Sequence, residues 1–417
     1  MEIKRDTYLN QLRLREGNGL IKTITGVRRS GKSYLLFKIF LRDLVDRGVQ
    51  RDHIIDIALD DISNDRLREP HALYDHVKSL VTDKEKYYIL LDEIQFVENF
   101  VDVLNGFLHI DNVDVYVTGS NSKFLSSDIL TEFRGRGDEV RVYPLSFSEY
   151  VTEYSGSEED AFNEYMTFGG LPRILSMKTD EQKSKYLLDL FEETYLKDII
   201  DHNDIKNTDE LEYLVNILAS VIGSLTNPTK LSNTFRTVMK SSITDKTIKM
   251  YLGYLKDAFL IDTAIRYDIK GKKYINTPMK VYFVDPGLRN ARLGFRQIEE
   301  THLMENIIFI ELKRRGFAVD IGLVEIRENS DNGKRLRKQL EIDFIAYKGN
   351  NKYYLQSVFS LPDGDKKRQE ERPLQNIDDS FKKIIVVGNH IKMKRDESGI
   401  VTLGVREFLL NENSMDL

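Results

Sequence analysis

The 417-residue chain has no cysteine, which excludes disulfides and every thiolate-held metal site. Its seven histidines are scattered and no two stand at ligand spacing, so they read as ordinary surface or core residues. Long apolar runs are also missing. The longest, Leu214 to Leu225, falls well short of the ~20 residues that cross a bilayer. The first residues, Met-Glu-Ile-Lys-Arg-Asp, lack the apolar region of a signal peptide. A cytoplasmic protein with no membrane partner is expected. The formal charge of −6 gives no overall basic excess for nucleic acid, although an average can hide a local patch. The length suits about two to four domains with ample core.

What is present begins with Gly26-Val27-Arg28-Arg29-Ser30-Gly31-Lys32-Ser33. A glycine, four residues, then Gly-Lys-Ser is the spacing of a loop whose backbone N–H groups curl around phosphates. Its lysine reaches the β- and γ-phosphates and its hydroxyl ligates Mg²⁺. The flanks agree. Leu20 to Thr25 reads as a β-branched strand, and Lys32 to Asp46 as a helix with Leu35, Leu36, Ile39, Phe40 and Leu44 on one side. The N-terminus of that helix adds partial positive charge to the anion site. Residues Gly26 to Tyr34 are therefore expected to bind nucleotide.

A phosphate loop needs a partner to manage metal and water. Tyr87 to Leu91 is an apolar strand ending in Asp92-Glu93. Asp92 is placed to hold Mg²⁺ together with Ser33, and Glu93 to orient and polarise the attacking water. A second strand, Val113 to Val117, ends in Thr118-Gly119-Ser120-Asn121. Ser120 could sense the γ-phosphate from there, although polar residues end most strands. Helical patterns near residues 70–81, 97–109 and 122–131 complete a βα rhythm and argue for a parallel sheet with its ligand at the carboxyl ends of the strands. No Asn/Thr-Lys-x-Asp guanine reader is present, no second motor series follows residue 150, and the appended chain is too long for a small-molecule kinase. ATP is the expected nucleotide.

The order of motifs resembles the AAA+ superfamily, in particular prokaryotic AAA-type ATPases with a C-terminal domain of unknown function that has a restriction-endonuclease-like core. It rests on the phosphate loop, Leu90-Leu91-Asp92-Glu93-Ile94-Gln95, Thr118-Gly119-Ser120, Gly135-Arg136 before Tyr143-Pro144-Leu145-Ser146-Phe147, Gly169-Gly170-Leu171-Pro172, Glu341-Ile342-Asp343-Phe344 and the Leu355-Gln356 strand. It covers nearly the whole chain. By position, Arg136 resembles the arginine that such ATPases present to a nucleotide, often in a neighbouring subunit, where a guanidinium neutralises phosphoryl charge. A homo-oligomer or a protein partner follows from that. Without the resemblance, Arg136 is an arginine in a flexible loop. Pro172 resembles a proline that packs near adenine, although Gly-Gly-Leu-Pro also suits a plain turn.

Residues 208–292 read as a winged-helix-like domain. Helical patterns at 209–224, 230–239 and 244–257 precede strand-like runs at 260–267 and 274–284. From Lys230 to Arg292 thirteen Lys/Arg stand against five Asp/Glu. Lys246, Lys249 and Lys256 would lie on a recognition helix, and Lys270, Lys272 and Lys273 on a wing, a distribution suited to DNA phosphates. A protein-packing domain with solvated lysines is the alternative. Beyond it, a helix from Glu305 to Arg315 and strands at 317–326, 340–347 and 352–359 resemble PD-(D/E)XK nucleases, whose acids hold Mg²⁺. Asp343 and Glu305 match the acids, but the acid-x-lysine positions fall on Gln356-Ser357-Val358. Glutamine is a poor Mg²⁺ ligand and valine cannot replace the lysine. Only Lys366 or Lys367 could substitute, so the endonuclease-like domain is expected to be inactive.

The expected architecture is an α/β P-loop ATPase domain of AAA+ type (1–150), a helical lid (151–207), the winged-helix-like domain (208–292) and the endonuclease-like α/β domain (293–417). The expected function is ATP binding and hydrolysis with Mg²⁺, the nucleotide state controlling domain arrangement and DNA binding. A nucleotide-regulated protein-binding scaffold with little turnover is the main alternative, and an ATP-gated nuclease is disfavoured by Val358.

Overall fold

The computed structural model describes residues 3–119, 133, 135–329, 335–360 and 365–416. The expected helix at 122–131 and the Ser120 position lie outside them. Strands β1 (Ile21–Thr25), β2 (Ile54–Ala58), β3 (Tyr87–Asp92), β4 (Val113–Thr118) and β5 (Gly137–Arg141) form one sheet in the order β2-β3-β4-β1-β5. Every pairing is parallel. The strands are apolar runs because helices cover both faces, as parallel sheets require. Leu73, Val77, Leu104 and Phe107 pack on one face, and Tyr8, Leu36, Phe40 and Leu44 on the other. The expected helix from Lys32 to Asp46 is continuous, with a π-helical stretch at Leu35–Phe40. That expected over 70–81 spans Pro70–Leu80, and that over 97–109 is shorter, Phe100–Phe107, because Asn99 turns left-handed before it.

The helical segment expected to serve as a lid begins before residue 151. Ser146 caps the helix Phe147–Glu153 through a reciprocal bond with Glu149, so the boundary at 150 falls inside a helix. Helices Glu158–Phe168, Asp180–Leu190 and Lys197–His202 follow.

The boundary at 292 needs a larger correction. The helices expected before the wing are found at Thr208–Ser220, Pro228–Val238 and Asp245–Asp257. The hairpin of β6 (Ile261–Asp268) and β7 (Lys273–Phe283) is also found, but it is not a free wing. It forms one edge of an eight-stranded sheet with β8 (Ala318–Asn329), β9 (Arg335–Lys348), β10 (Asn351–Val358), β11 (Lys382–Val387), β12 (Lys394–Arg395) and β13 (Val401–Gly404), in the order β12-β13-β11-β10-β9-β8-β6-β7. The parallel β6–β8 pairing, Arg266 to Ile321 through Asp268 to Leu323, makes the join. A strand edge offers unpaired N–H and C=O groups, and β8 takes up that of β6. One apolar core then runs from the lid through the helices of 208–292 to this sheet, including Phe162, Leu214, Leu255, Ile308 and Phe408.

Candidate nucleotide site

The site is assembled at the carboxyl ends of three adjacent strands. In the sheet order β4 lies between β1 and β3, so Thr118 stands between the phosphate loop and Asp92-Glu93. Gly26 has φ +133, and a Cβ there would collide with the Val142 carbonyl. Only glycine permits this turn. The loop then passes through Arg29 at φ 65 and enters its helix at Lys32.

Lys32 is buried and its Nζ donates to the carbonyls of Gly26 (3.0 Å) and Val27 (3.1 Å). Burial lowers its pKa to about 8, against the opposing pull of Glu93 and Asp92. An ammonium held by its own loop's carbonyls, with two carboxylates nearby, is a donor ready for an incoming anion. Burial raises the Asp92 carboxyl, partly offset by hydrogen bonds from Thr118 and Ser33. Those bonds join the expected metal ligands Ser33 and Asp92 directly. The Thr118 hydroxyl donates to Asp92 and accepts the Glu93 backbone N–H at 3.0 Å, fixing the strand end. Glu93 itself sits at φ 55 and accepts from Gln95. Thus the arrangement fits a phosphate chain with Mg²⁺: a buried ammonium, a hydroxyl–carboxylate pair for the metal, and a second carboxylate beside them.

Two cavities meet at Gly31 and Tyr34. One, about 440 Å³, is lined by Arg28, Arg29, Lys32, Ser33 and Glu93, and also by Asp60 and Phe96. The other, about 410 Å³, is mostly apolar and lined by Ile3, Leu145 and Pro172, with Arg5, Arg173 and Ser176. A charged compartment joined to an apolar one matches the two halves of a nucleotide. Pro172 lies in the apolar half. Ser30 is buried, and its carbonyl accepts from Arg5 at 3.3 Å.

Arg28 is tied to the lid: its guanidinium pairs with Asp198 at 2.6 Å and its carbonyl accepts the Tyr195 hydroxyl at 2.7 Å. Arg136 is not brought to this site. It is exposed, bonds Asn105 at 3.1 Å and lines neither cavity.

Sequence reading missed Arg5 and Asp60, which belong to no motif, and Phe96, which ends the short 3-10 helix directly after Asp92-Glu93. Thr118 was legible as a polar strand end, but its bond to Asp92 depends on strand order.

A family model described as an AAA domain matches residues 18–151. A second, a domain of unknown function, matches 159–299 and so spans the lid, the three helices and the hairpin. An uncharacterized protein of Haemophilus influenzae is 34% identical over 415 residues, covering 98% of both chains. The chain belongs to the AAA-domain family. An uncharacterized protein of Methanocaldococcus jannaschii is 30% identical, covering 84% of the AAA protein described here and 77% of its own length. Among solved structures, a Walker-type ATPase of Pyrococcus abyssi matches with TM-score 0.48 and 14% identity, over 70% of this chain and 96% of that one. Among the described residues, no helix of the AAA protein is long and apolar enough to cross a membrane.

Proposed function

We propose that this AAA protein binds and hydrolyses ATP with Mg²⁺, and that its nucleotide state sets the position of the lid against the C-terminal sheet. The observation that carries the reading is the convergence of Lys32, Ser33, Asp92, Thr118 and Glu93 at the ends of β1, β4 and β3. In this reading the backbone of Gly26 to Ser33 and the Lys32 ammonium hold the phosphates. Ser33 and Asp92 would hold Mg²⁺, whose contribution is to neutralise charge on the transferring phosphoryl group. Glu93 orients water, and Pro172 and Tyr34 flank the base. Arg136, exposed and outside its own cavity, acts on the nucleotide of a neighbouring copy.

DNA is the proposed partner of the 230–292 region. Lys246, Lys249, Lys256, Lys270, Lys272 and Lys273 are all exposed, which supports phosphate contact. Three other cations in the segment are engaged internally: Lys280 with carboxylates, Arg289 with the Ala219 carbonyl, and Arg292 with Glu192 and Glu212. The usable positive charge is therefore smaller than the sequence count.

The test separates turnover from mere nucleotide regulation. Glu93→Gln is nearly isosteric and should keep ATP bound while single-turnover hydrolysis falls by ~10²–10⁴-fold. Lys32→Ala should weaken ATP binding itself. Hydrolysis at the wild-type rate in Glu93→Gln would remove that residue from catalysis. Stoichiometric ATP binding by wild type without turnover would favour the scaffold.

A further inference from the structure

The acids expected of a nuclease centre do come together, but around a lysine that the sequence pattern does not mark. Lys280, on the edge strand β7, is buried. Its Nζ lies 2.9 Å from Glu305, 2.9 Å from Glu341 and 3.2 Å from Asp343. The ammonium donates hydrogen bonds to Glu305, on the helix Glu300–Arg314, and to Asp343, on β9, and forms an ion pair with Glu341, also on β9. Two of the acids have further partners. The Tyr282 hydroxyl donates to Glu305 at 2.7 Å, and the second Asp343 oxygen accepts the Ser357 backbone N–H at 2.9 Å. That last bond has a local cause. The β9–β10 ladder stops at Phe344↔Leu355 and the β8–β9 register slips between Asp320 and Gly322, so the Asp343 side chain supplies the acceptor that the ladder lacks.

A PD-(D/E)XK fold implies Mg²⁺ at Glu305 and Asp343, and the residues present do not fit it. A divalent ion would need the point at which the three carboxylate oxygens converge, and Lys280 Nζ stands there. Val358, at the family's lysine position, is packed among Val324, Leu374 and Val387 instead. The cation beside these carboxylates is therefore on β7 and not on β10. Among the described residues, no group of three or more His, Asp or Glu is arranged to hold a metal ion.

We propose that Lys280 is a resident cation that replaces a divalent metal between Glu305, Glu341 and Asp343, so that the C-terminal sheet holds its carboxylate centre without metal. The inference is independent of the nucleotide site. It also accounts for three acids being buried or half-buried together. An unpaired carboxylate is expensive to bury, and an ammonium that hydrogen-bonds two of the acids and pairs with the third offsets that cost. Removing the ammonium should leave a cluster of oxygens about 3 Å from a common point, which need move in by only roughly 0.5–1 Å to reach metal-ligand distance.

The experiment titrates full-length, nucleotide-free protein with Mn²⁺, reading bound metal by electron paramagnetic resonance and thermal midpoint in parallel. The proteins are wild type, Asp343→Asn, Lys280→Ala and Lys280→Ala with Asp343→Asn. Wild type should show no Mn²⁺ binding that Asp343→Asn removes. Lys280→Ala should gain one site at least about tenfold tighter than any in wild type. Its midpoint should rise with Mn²⁺, and Asp343→Asn should abolish both effects. A folded Lys280→Ala that gains no Mn²⁺ overturns the proposal. Where Lys280→Ala does not fold, wild type against Asp343→Asn decides. Asp343-dependent Mn²⁺ binding in wild type overturns the resident lysine, and its absence supports it.

Discussion

Lys32 shows how one side chain can report on the site it serves. Burial brings its pKa from the ordinary 10.5 down to about 8, so above that pH much of the nucleotide-free protein carries a neutral lysine. Phosphate oxygens in the cavity favour the charged form and raise the pKa. ATP binding at pH 8.5 should therefore take up about three-quarters of a proton, whereas at pH 7 uptake should be about a tenth. Calorimetry in two buffers of different ionisation enthalpy measures this directly, and Lys32→Ala should abolish the buffer dependence. The folding sign runs the same way. The unfolded chain binds more protons between pH 8 and 10.5, so this group's penalty on stability eases as pH rises through that window.

At the scale of elements, the Gly169-Gly170-Leu171-Pro172 turn connects the apolar half of the nucleotide cavity to the C-terminal unit. Leu145 N–H donates to the Gly170 carbonyl at 2.7 Å, and Gly170 N–H donates to the buried Asp285 carboxylate at 2.7 Å. A Cβ on Gly170 would strike the Leu145 carbonyl, so this close approach requires glycine. Asp285 also caps the helix Pro286–Arg292 by accepting from Leu288 at 3.1 Å. That helix in turn holds the lid, because Asn290 donates to the Met166 and Thr167 carbonyls at 2.9 Å each. Motion of Pro172 with nucleotide would reach this helix through two hydrogen bonds. Burial raises Asp285 to about 6 against the pull of the backbone N–H groups of Gly170, Leu288 and Gly287. Its folded value exceeds the unfolded one, so the stability it contributes is complete below about pH 3.8 and is lost as pH rises through 6. Asp285→Asn removes that titration but leaves one buried N–H facing an amide donor, a cost of about 1–3 kcal/mol. Wild type should exceed Asp285→Asn in urea midpoint, by more at pH 5 than at pH 7.5.

Across the whole molecule, the question is where a nucleic-acid partner could lie. The hairpin is an edge of the eight-stranded sheet, so its turn is carried on a rigid support. Lys270, Lys272 and Lys273 are exposed at that turn, with Lys270 only 4.0 Å from the exposed Asp378. Replacing all three with alanine should weaken DNA binding across sequences and reduce the slope of log affinity against log salt by about 0.9 for each phosphate no longer neutralised. Fluorescence anisotropy over a salt series is the measurement. Unchanged affinity and slope would remove the hairpin from the interface.

The phosphate loop, Asp92-Glu93 and the parallel strands were legible because each depends on local chemistry: a glycine where φ is positive, and an apolar run ending in acids. The three helices and the hairpin were legible for the same reason, through the spacing of their apolar residues. Partnership between distant segments was not. Nothing in residues 260–284 says that their hairpin pairs with β8 rather than standing free, because an open edge reads the same in sequence whichever strand covers it. Arg5 and Asp60 reach the two cavities from segments without a pattern, and Phe96 from the turn of helix after Glu93. Thr118 meets Asp92 only because β4 lies between β1 and β3. Lys280 was counted in sequence as one cation among thirteen, and the fold buries it against carboxylates 25, 61 and 63 residues away. Local sequence determined which elements form and which loop can cradle phosphate. Strand order and edge pairing decided which charges meet, since electrostatic partners follow distance in space rather than distance along the chain.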